Sequence, residues 1–276
     1  MPNFFSLNIM TSQPLNPSII AALGDFEKSN APSVWANLDK KQVLAEIKIR
    51  LNDPFQVNQG GQPFCGPASI LFELIRKQPL RYVQICRSLF ETGSFQGQTK
   101  RIQATERLRR SQGRLRMSQA DWMVLATLRE SENLIFPVEP DAPDILRNLA
   151  GMTKSWEIKG WTSEVLGYRQ VKYIHTYIYG ETEALNTAAQ VIASGGVAFA
   201  LITAEGLLGN GNKPFLPYPN HWITILGNIS TQRGLLWSND TGRFSMDVYS
   251  WANKYHIDLG KGPFEDYFWG VVWGSM

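Results

Sequence analysis

The hydrophobic pattern of the chain changes its period near the middle, and this change limits the fold more than any other feature. In the first half, apolar residues recur every three or four positions, as on one face of a helix. The helices predicted from this pattern are Leu38–Leu51, 66–76, Leu80–Phe90, Ile102–Leu108 and Gln119–Glu130. In the second half, short apolar runs bounded by Gly, Asn or Pro predict strands, with one helix inserted. These elements are Tyr173–Tyr179, the helix Glu183–Ala193, Val197–Thr203, Trp222–Leu226, Leu235–Ser238 and Phe268–Trp273.

Helices followed by an antiparallel sheet indicate an α+β fold. The 276 residues, of which 43% are hydrophobic, suffice for one large domain with its own core, spanning residues 1–276. Residues 1–34 are rich in Pro, Asn and Ser and predict an irregular N-terminal arm. Residues 80–165 predict a helical insertion, and residues 170–276 predict the antiparallel sheet portion.

The two cysteines, Cys65 and Cys86, are too few for a disulfide framework and indicate a reducing compartment. The first residues lack a basic region followed by an apolar run, so no classical signal peptide is expected. The longest apolar stretch, near Val197–Ile202, is far shorter than the roughly 20 residues that span a bilayer. We therefore expect a cytoplasmic protein, or one exported without a classical signal peptide, with neither a membrane nor a nucleic acid as partner.

Positive charge is concentrated in residues 100–116. This segment carries seven basic residues and a single acid, Glu106, although the net charge of the whole chain is only +3. A solvated helical face explains such a segment, and a docking surface for an acidic partner is the alternative.

A cysteine stands where an irregular loop becomes an apolar helix, in the sequence Gln59-Gly-Gly-Gln-Pro-Phe-Cys65-Gly-Pro-Ala-Ser69. The N–H groups at a helix N-terminus carry partial positive charge, which favours the thiolate and predicts a lowered pKa for Cys65. The glycines let the backbone approach a substrate carbonyl. The side-chain amide of Gln59, together with the Cys65 N–H, can form a two-donor oxyanion hole. A buried structural cysteine at a helix start is the alternative.

A thiolate nucleophile needs a base, and the chain has only three histidines: His175, His221 and His256. His221 directly precedes the apolar run Trp222–Leu226, and the next predicted strand, Leu235–Ser238, ends in Asn239 and Asp240. If the two strands are hairpin neighbours, His221 and the Asn-Asp pair lie at the same edge of the sheet. A carboxylate placed there can fix the tautomer of the imidazole. An incidental surface histidine is the alternative.

The remaining cysteine and histidines are interpreted as structural. Cys86 lies mid-helix among apolar residues, His175 falls inside a predicted strand, and His256 lies in a surface segment. The sequence contains neither a His-Glu-x-x-His pair nor a Gly-x-Ser-x-Gly elbow. We therefore expect no metal and no organic cofactor.

The combination of motifs resembles the papain-like cysteine peptidases. Gln-x5-Cys-Gly-Pro-Ala-Ser, a distant His-Trp-Ile-Thr-Ile-Leu-Gly and an Asn-Asp-x-Gly turn are most similar to the bacterial branch of double-glycine leader peptidases. The resemblance covers residues 56–76 and 195–275 and implies a papain-like α+β fold. The roles that it implies are nucleophile for Cys65, general base for His221, orienting residue for Asp240 and oxyanion donor for Gln59.

One departure from that branch concerns the orienting residue. The branch commonly has Asp-Pro after the strand, whereas this chain has Asp240 followed by Thr241. Asn239 is therefore the alternative orienting residue.

The resemblance implies a thiol-dependent hydrolase that cleaves an amide bond of a peptide or protein through an acyl-thioester. The first alternative is that the same triad carries out deamidation, amide hydrolysis or acyl transfer. This alternative includes a protein that acts as a bacterial effector or toxin. A non-catalytic interaction module that uses the cleft and the basic helical segment is the second.

Overall fold

Helices and an antiparallel sheet pack against each other in the computed structural model, as the α+β prediction requires. The structure describes residues 15–112, 115–132, 153–176, 180–209, 217–233 and 242–276. The helices are α1 Pro17–Lys28, α2 Lys40–Asn52, α3 Cys65–Lys77, α4 Pro79–Thr92, α5 Glu106–Arg109, α6 Gln119–Glu132, α7 Ser155–Glu164, α8 Glu181–Ala193, α9 Ala204–Leu207 and α10 Lys261–Glu265. The strands are β1 Ser94–Gln96, β2 Arg101–Gln103, β3 Gln170–His175, β4 Val197–Ile202, β5 His221–Arg233, β6 Gly242–Ser250, β7 Asn253–Gly260 and β8 Phe268–Ser275.

The main sheet has the strand order β3-β8-β4-β5-β6-β7, and all its pairs are antiparallel. It is buried on both faces. The helices of the first half and α7 form a core with one face, to which Phe199, Trp222 and Tyr249 contribute. On the opposite face, α8 and α10 form a second core, to which Ile223 and Val248 contribute. Alternate residues of each strand therefore serve two different cores.

The helix that begins at Cys65 crosses the sheet at β5 and β6. The rings of Phe72 and Tyr249 are stacked, with centroids 3.7 Å apart, and the Ser69 hydroxyl lies 3.5 Å from the Trp222 carbonyl oxygen. This packing places the start of α3 beside the start of β5, where His221 is located.

Two helices of the first half confirm the local sequence signals. Asp39 caps α2 by accepting from the Gln42 N–H at 2.8 Å. Pro67 lies in the first turn of α3, where its missing N–H costs no hydrogen bond. The helix over residues 119–132 likewise matches its prediction.

The expectation of an irregular arm over residues 1–34 is wrong for its second half, because residues 17–28 form α1. Asn16 caps this helix by accepting from the Ser18 N–H at 3.0 Å. Its buried apolar residues are spaced by three and four: Ile19, Leu23 and Phe26. The Asn-Pro start is a helix signal that the Pro-, Asn- and Ser-rich composition hid. Residues 1–14 lie outside the described residues.

The predicted helix Ile102–Leu108 is also only partly correct. Ile102 lies in β2 and pairs with Phe95 of β1, and the helix itself is limited to Glu106–Arg109. Thr105 follows β2 and caps this short helix by accepting from the Leu108 N–H at 3.1 Å. In the second half, β3 ends at His175 and residues 177–179 lie outside the described residues, as do Leu235–Ser238.

The part of the chain that the structure describes contains no helix that is long and apolar enough to cross a membrane.

Candidate active site

Cys65 is the first residue of α3 and is 7% exposed. Phe64 precedes it without a side-chain cap, so the first N–H groups of the helix are not occupied by a capping side chain. Burial raises the pKa of the Cys65 thiol, whereas hydrogen bonds from the Trp222 and Gly66 backbone and the charge of Arg129 act in the opposite direction. The predicted lowering is therefore wrong, because burial outweighs the helix terminus.

Three contacts fix the loop that leads into Cys65. The Asn58 N–H donates to the buried Asp121 carboxylate at 3.1 Å, and the Tyr249 hydroxyl donates to the Val57 carbonyl at 2.8 Å. Gly60 has a φ of 58°, and a Cβ there would overlap the Arg116 carbonyl. Only glycine allows this conformation and this close approach together.

Three segments of the chain meet next to Cys65, at Gly66, Thr153 and Trp222. A Cβ on Gly66 would overlap the side chain of Thr153, so glycine is required for the insertion to reach the start of α3. The carbonyl of Thr153 accepts from the Trp222 indole N–H at 2.8 Å. The segment just before α7, helix α3 and strand β5 therefore meet at this junction.

His221 is the first residue of β5, pairs with Ile202 and is 5% exposed. Its Nε2 lies 2.7 Å from the Ser250 hydroxyl oxygen, and its ring stacks on Trp251 with centroids 4.5 Å apart. Burial lowers the pKa of His221 to about 3. The imidazole is therefore neutral at ordinary pH.

Cys65 lines two cavities. The histidine cavity, of about 380 Å³, is polar and contains Gln59, Cys65 and His221 in its lining; Glu205 and Tyr218 also border it. The aromatic cavity, of about 180 Å³, shares Cys65 and Asn220 with the histidine cavity. Its lining includes Thr153, Trp156, Tyr173 and Trp222. The three side chains predicted to act as nucleophile, base and oxyanion donor thus share one cavity.

Among the hydrogen bonds of the described residues, none joins Cys65 to His221. We predict that the thiol sulfur lies within about 4.5 Å of a ring nitrogen of His221 in the resting site, and this distance stays a prediction.

Asn239 and Asp240, the predicted orienting residues, lie outside the described residues, so their contacts stay predictions. The registers of β5 and β6 are described, however. Gly242 pairs with Arg233, at the opposite end of β5 from His221, whereas Thr224 pairs with Tyr249. The end of β6, and not its start, therefore lies beside the histidine.

The turn between β6 and β7 holds a residue that no sequence motif singles out. Trp251 and Ala252 connect the paired Ser250 and Asn253, and both have positive φ, 45° and 60°. This is the backbone of a type I′ turn, which usually has Asn and Gly at these positions. A bulky residue with positive φ is strained. Here that conformation places the indole on the His221 ring.

We expect Trp251→Asn to raise the pKa of His221 by more than one unit from about 3, because water would reach the ring. Asparagine accepts the positive φ, so the turn should remain. Histidine NMR titration measures this pKa, with only three imidazoles to assign. Ala252→Gly is the control, since it changes the same turn but keeps the indole. An unchanged His221 titration in Trp251→Asn would show that the indole does not exclude water.

A scan of the chain against protein-family models found no match, and a search of the curated proteins found no relative. The function is therefore argued from the site itself.

The other cysteine and histidines occupy the structural positions expected of them. Cys86 is fully buried in α4, and His175 ends the edge strand β3. The exposed His256 pairs with Asp247 at 2.7 Å, and its strand β7 is the other edge of the sheet. In the described ranges, no three His, Cys, Asp or Glu residues are grouped so as to hold a metal ion.

The basic segment 100–116 is partly neutralised within the chain. Arg107 forms an ion pair with Glu130, and Arg110 forms one with Glu106, at 3.1 and 2.7 Å. Arg114 lies outside the described residues. The acidic partner stays a prediction.

Proposed function

We propose that this chain is a thiol-dependent hydrolase with a papain-like fold, which cleaves an amide bond of a peptide or protein. The observation that carries the proposal is the shared cavity, in which Cys65 and Gln59 from one segment meet His221 from a distant strand. A cysteine at the start of a helix and a histidine on the strand beneath it are the arrangement that papain-like chemistry needs. The empty space between them admits a substrate carbonyl.

The pKa directions favour a neutral resting pair, with the thiol of Cys65 and the imidazole of His221 both uncharged. In this mechanism His221 removes the thiol proton as sulfur bonds to the carbonyl carbon. The amide C–N bond then breaks, and the same proton passes to the leaving amine. Water attacks the acyl-thioester, His221 takes a proton from it, and the thiol leaves with that proton restored.

Gln59 supports the proposal as a donor to the developing oxyanion. We expect Gln59→Ala to lower turnover by roughly 100-fold, the scale of losing one oxyanion donor, with little change in the free energy of unfolding. Steady-state kinetics and thermal unfolding measure the two effects. Gln56→Ala is a matched control, since Gln56 is exposed three residues before Gln59 and its side-chain amide donates to Asp53. Parallel losses of stability and turnover would instead make Gln59 a structural anchor.

The reaction is tested by incubating the protein with a mixture of blocked random-sequence peptides and analysing the products by mass spectrometry. We expect new peptide ends and, after an acid quench, an acyl group on the peptide that contains Cys65. The Cys65→Ala variant should give neither. Cleavage that persists in this variant, or a wild-type protein with no product and no adduct, would overturn the proposal.

The same experiment separates the alternative activities. Conversion of glutamine to glutamate without cleavage indicates a deamidase, and transfer of the acyl group to the amine of a second peptide in place of water indicates an acyltransferase. All three outcomes require the same Cys65 adduct, because the acyl-thioester precedes each of them.

A further inference from the structure

We infer that Ser250 is the residue that positions His221, in the place where such sites commonly have a carboxylate or an amide. This inference rests on the proposed function, since it assigns a role within that site. It departs from the sequence prediction, which gave this role to Asp240 or Asn239.

The contact itself is the first support. Ser250 is the last residue of β6 and is 3% exposed, and its hydroxyl oxygen lies 2.7 Å from His221 Nε2. Ser250 lines neither of the cavities beside Cys65. It therefore touches the base without facing the substrate, which is the position of an orienting group and not of a nucleophile.

Sheet geometry is the second support. The pairing of Ser250 with Asn253 across a two-residue turn fixes the end of β6, and the pairing of Thr224 with Tyr249 fixes this end beside the start of β5. A β-strand rises about 3.3 Å per residue, so Arg233 and its partner Gly242 lie tens of ångströms along β5 from His221.

The bond also determines which ring nitrogen is available for catalysis. Because Nε2 is occupied by Ser250, Nδ1 is the nitrogen left to take the thiol proton. Nδ1 can do so only as an unprotonated acceptor, which requires the tautomer with hydrogen on Nε2. Ser250 Oγ then accepts from Nε2–H, and this hydrogen bond strengthens when the ring becomes an imidazolium.

A hydroxyl orients the ring but adds no negative charge. The ionisable groups that line the histidine cavity with His221 are Cys65, Glu205 and Tyr218, and Arg129 acts on the thiol from α6. Asn220 donates to the Glu205 carboxylate at 2.8 Å. Without a carboxylate on Nε2, the imidazolium gains no charge stabilisation from its orienting partner. The thiol should therefore react by proton transfer to His221, not as a preformed ion pair.

The test compares variants of the full chain by two readouts: the rate of Cys65 alkylation by iodoacetamide and the turnover of a peptide cleaved by the wild type. We expect Ser250→Ala to lower both by about 10- to 100-fold, because a buried nitrogen loses its partner. Ser250→Thr keeps the hydroxyl and should restore most of each rate. Ser245→Ala is the matched control, since it makes the same change on the same strand away from His221.

Asp240→Ala and Asn239→Ala complete the series, and both should behave like Ser245→Ala. Loss of both rates in Asp240→Ala or Asn239→Ala, with none in Ser250→Ala, would overturn the inference and leave the hydrolase proposal intact. Rates that do not depend on Cys65 or His221 would instead refute the hydrolase proposal itself.

Nitrogen NMR of the wild-type protein provides a measurement that no folding defect can obscure. We expect His221 to carry its proton on Nε2 at neutral pH. The opposite tautomer, with the proton on Nδ1, would contradict the inference, because that nitrogen could not then accept from Cys65.

Discussion

Cys65→Ala is expected to lower turnover by on the order of 10⁶-fold, and His221→Ala by a similar factor, because nucleophile and base act as one unit. The double variant should be about as slow as either single variant. Substrate binding should change little, since the histidine cavity keeps its other walls. Steady-state kinetics of the three variants, with binding of an uncleaved peptide measured separately, check these expectations.

Cys86→Ala is the control for these variants, because it removes the other thiol from a buried position in α4. It should reduce the free energy of unfolding and leave the turnover of the folded protein unchanged. Two results would contradict the idea that Cys65 and His221 act together. The first is a double variant whose loss of turnover is the product of the two single losses, and the second is a fully folded Cys86→Ala variant with reduced turnover.

Acid is expected to destabilise the protein through His221. The pKa of His221 is about 3 in the folded state and 6.5 for an ordinary histidine. Between these two pH values the unfolded chain therefore binds a proton at His221, whereas the folded chain does not. The contribution of neutral His221 to the free energy of unfolding is fully present above pH 6.5 and is lost as the pH falls from 6.5 towards 3. At about 1.4 kcal/mol per pH unit, this one group lowers the free energy of unfolding by about 5 kcal/mol.

Denaturant unfolding over this pH range measures the effect. His221→Gln should remove most of the slope, whereas His175→Gln, at an exposed position on β3, should leave it unchanged. Carboxylates such as Asp247, whose pKa is lowered to about 2 by its hydrogen-bond partners despite some burial, add a separate loss at lower pH. If the free energy of unfolding depends on pH in the same way for the wild type and for His221→Gln, the His221 imidazole takes up its proton in the folded state.

Helix α3, which begins at Cys65, could be predicted from sequence because its signals are local. Pro67 and the apolar spacing that follows lie within one helical turn or two of Cys65. The same is true of α2, where Asp39 and the apolar period are adjacent. The α+β class follows from the change of period along the chain.

The surroundings of His221 could not be predicted in the same way, because they depend on strand register. Ser250 and Trp251 are about thirty residues from His221 along the chain, and only the β5–β6 pairing brings them together. The alternation of Phe244, Met246 and Val248 would have indicated β6, and hence a candidate partner at its end.

The pKa of Cys65 illustrates the same limit. The helix terminus is visible in the sequence and favours the thiolate, whereas burial comes from segments that are remote in sequence. Trp222 belongs to β5, and Thr153 to the end of the insertion. The direction of the pKa is therefore a property of the assembled site.

The junction of Gly66, Thr153 and Trp222 means that the helical insertion is not a detachable module. A chain shortened between α4 and α7 would lose the carbonyl that receives the Trp222 indole and one wall of the aromatic cavity. Grafting a different insertion would have to reproduce that contact to keep the nucleophile and β5 aligned. The same contacts act in both directions. A ligand that displaced the insertion would also displace α3, which carries the Cys65 thiol, and β5, which carries the His221 imidazole.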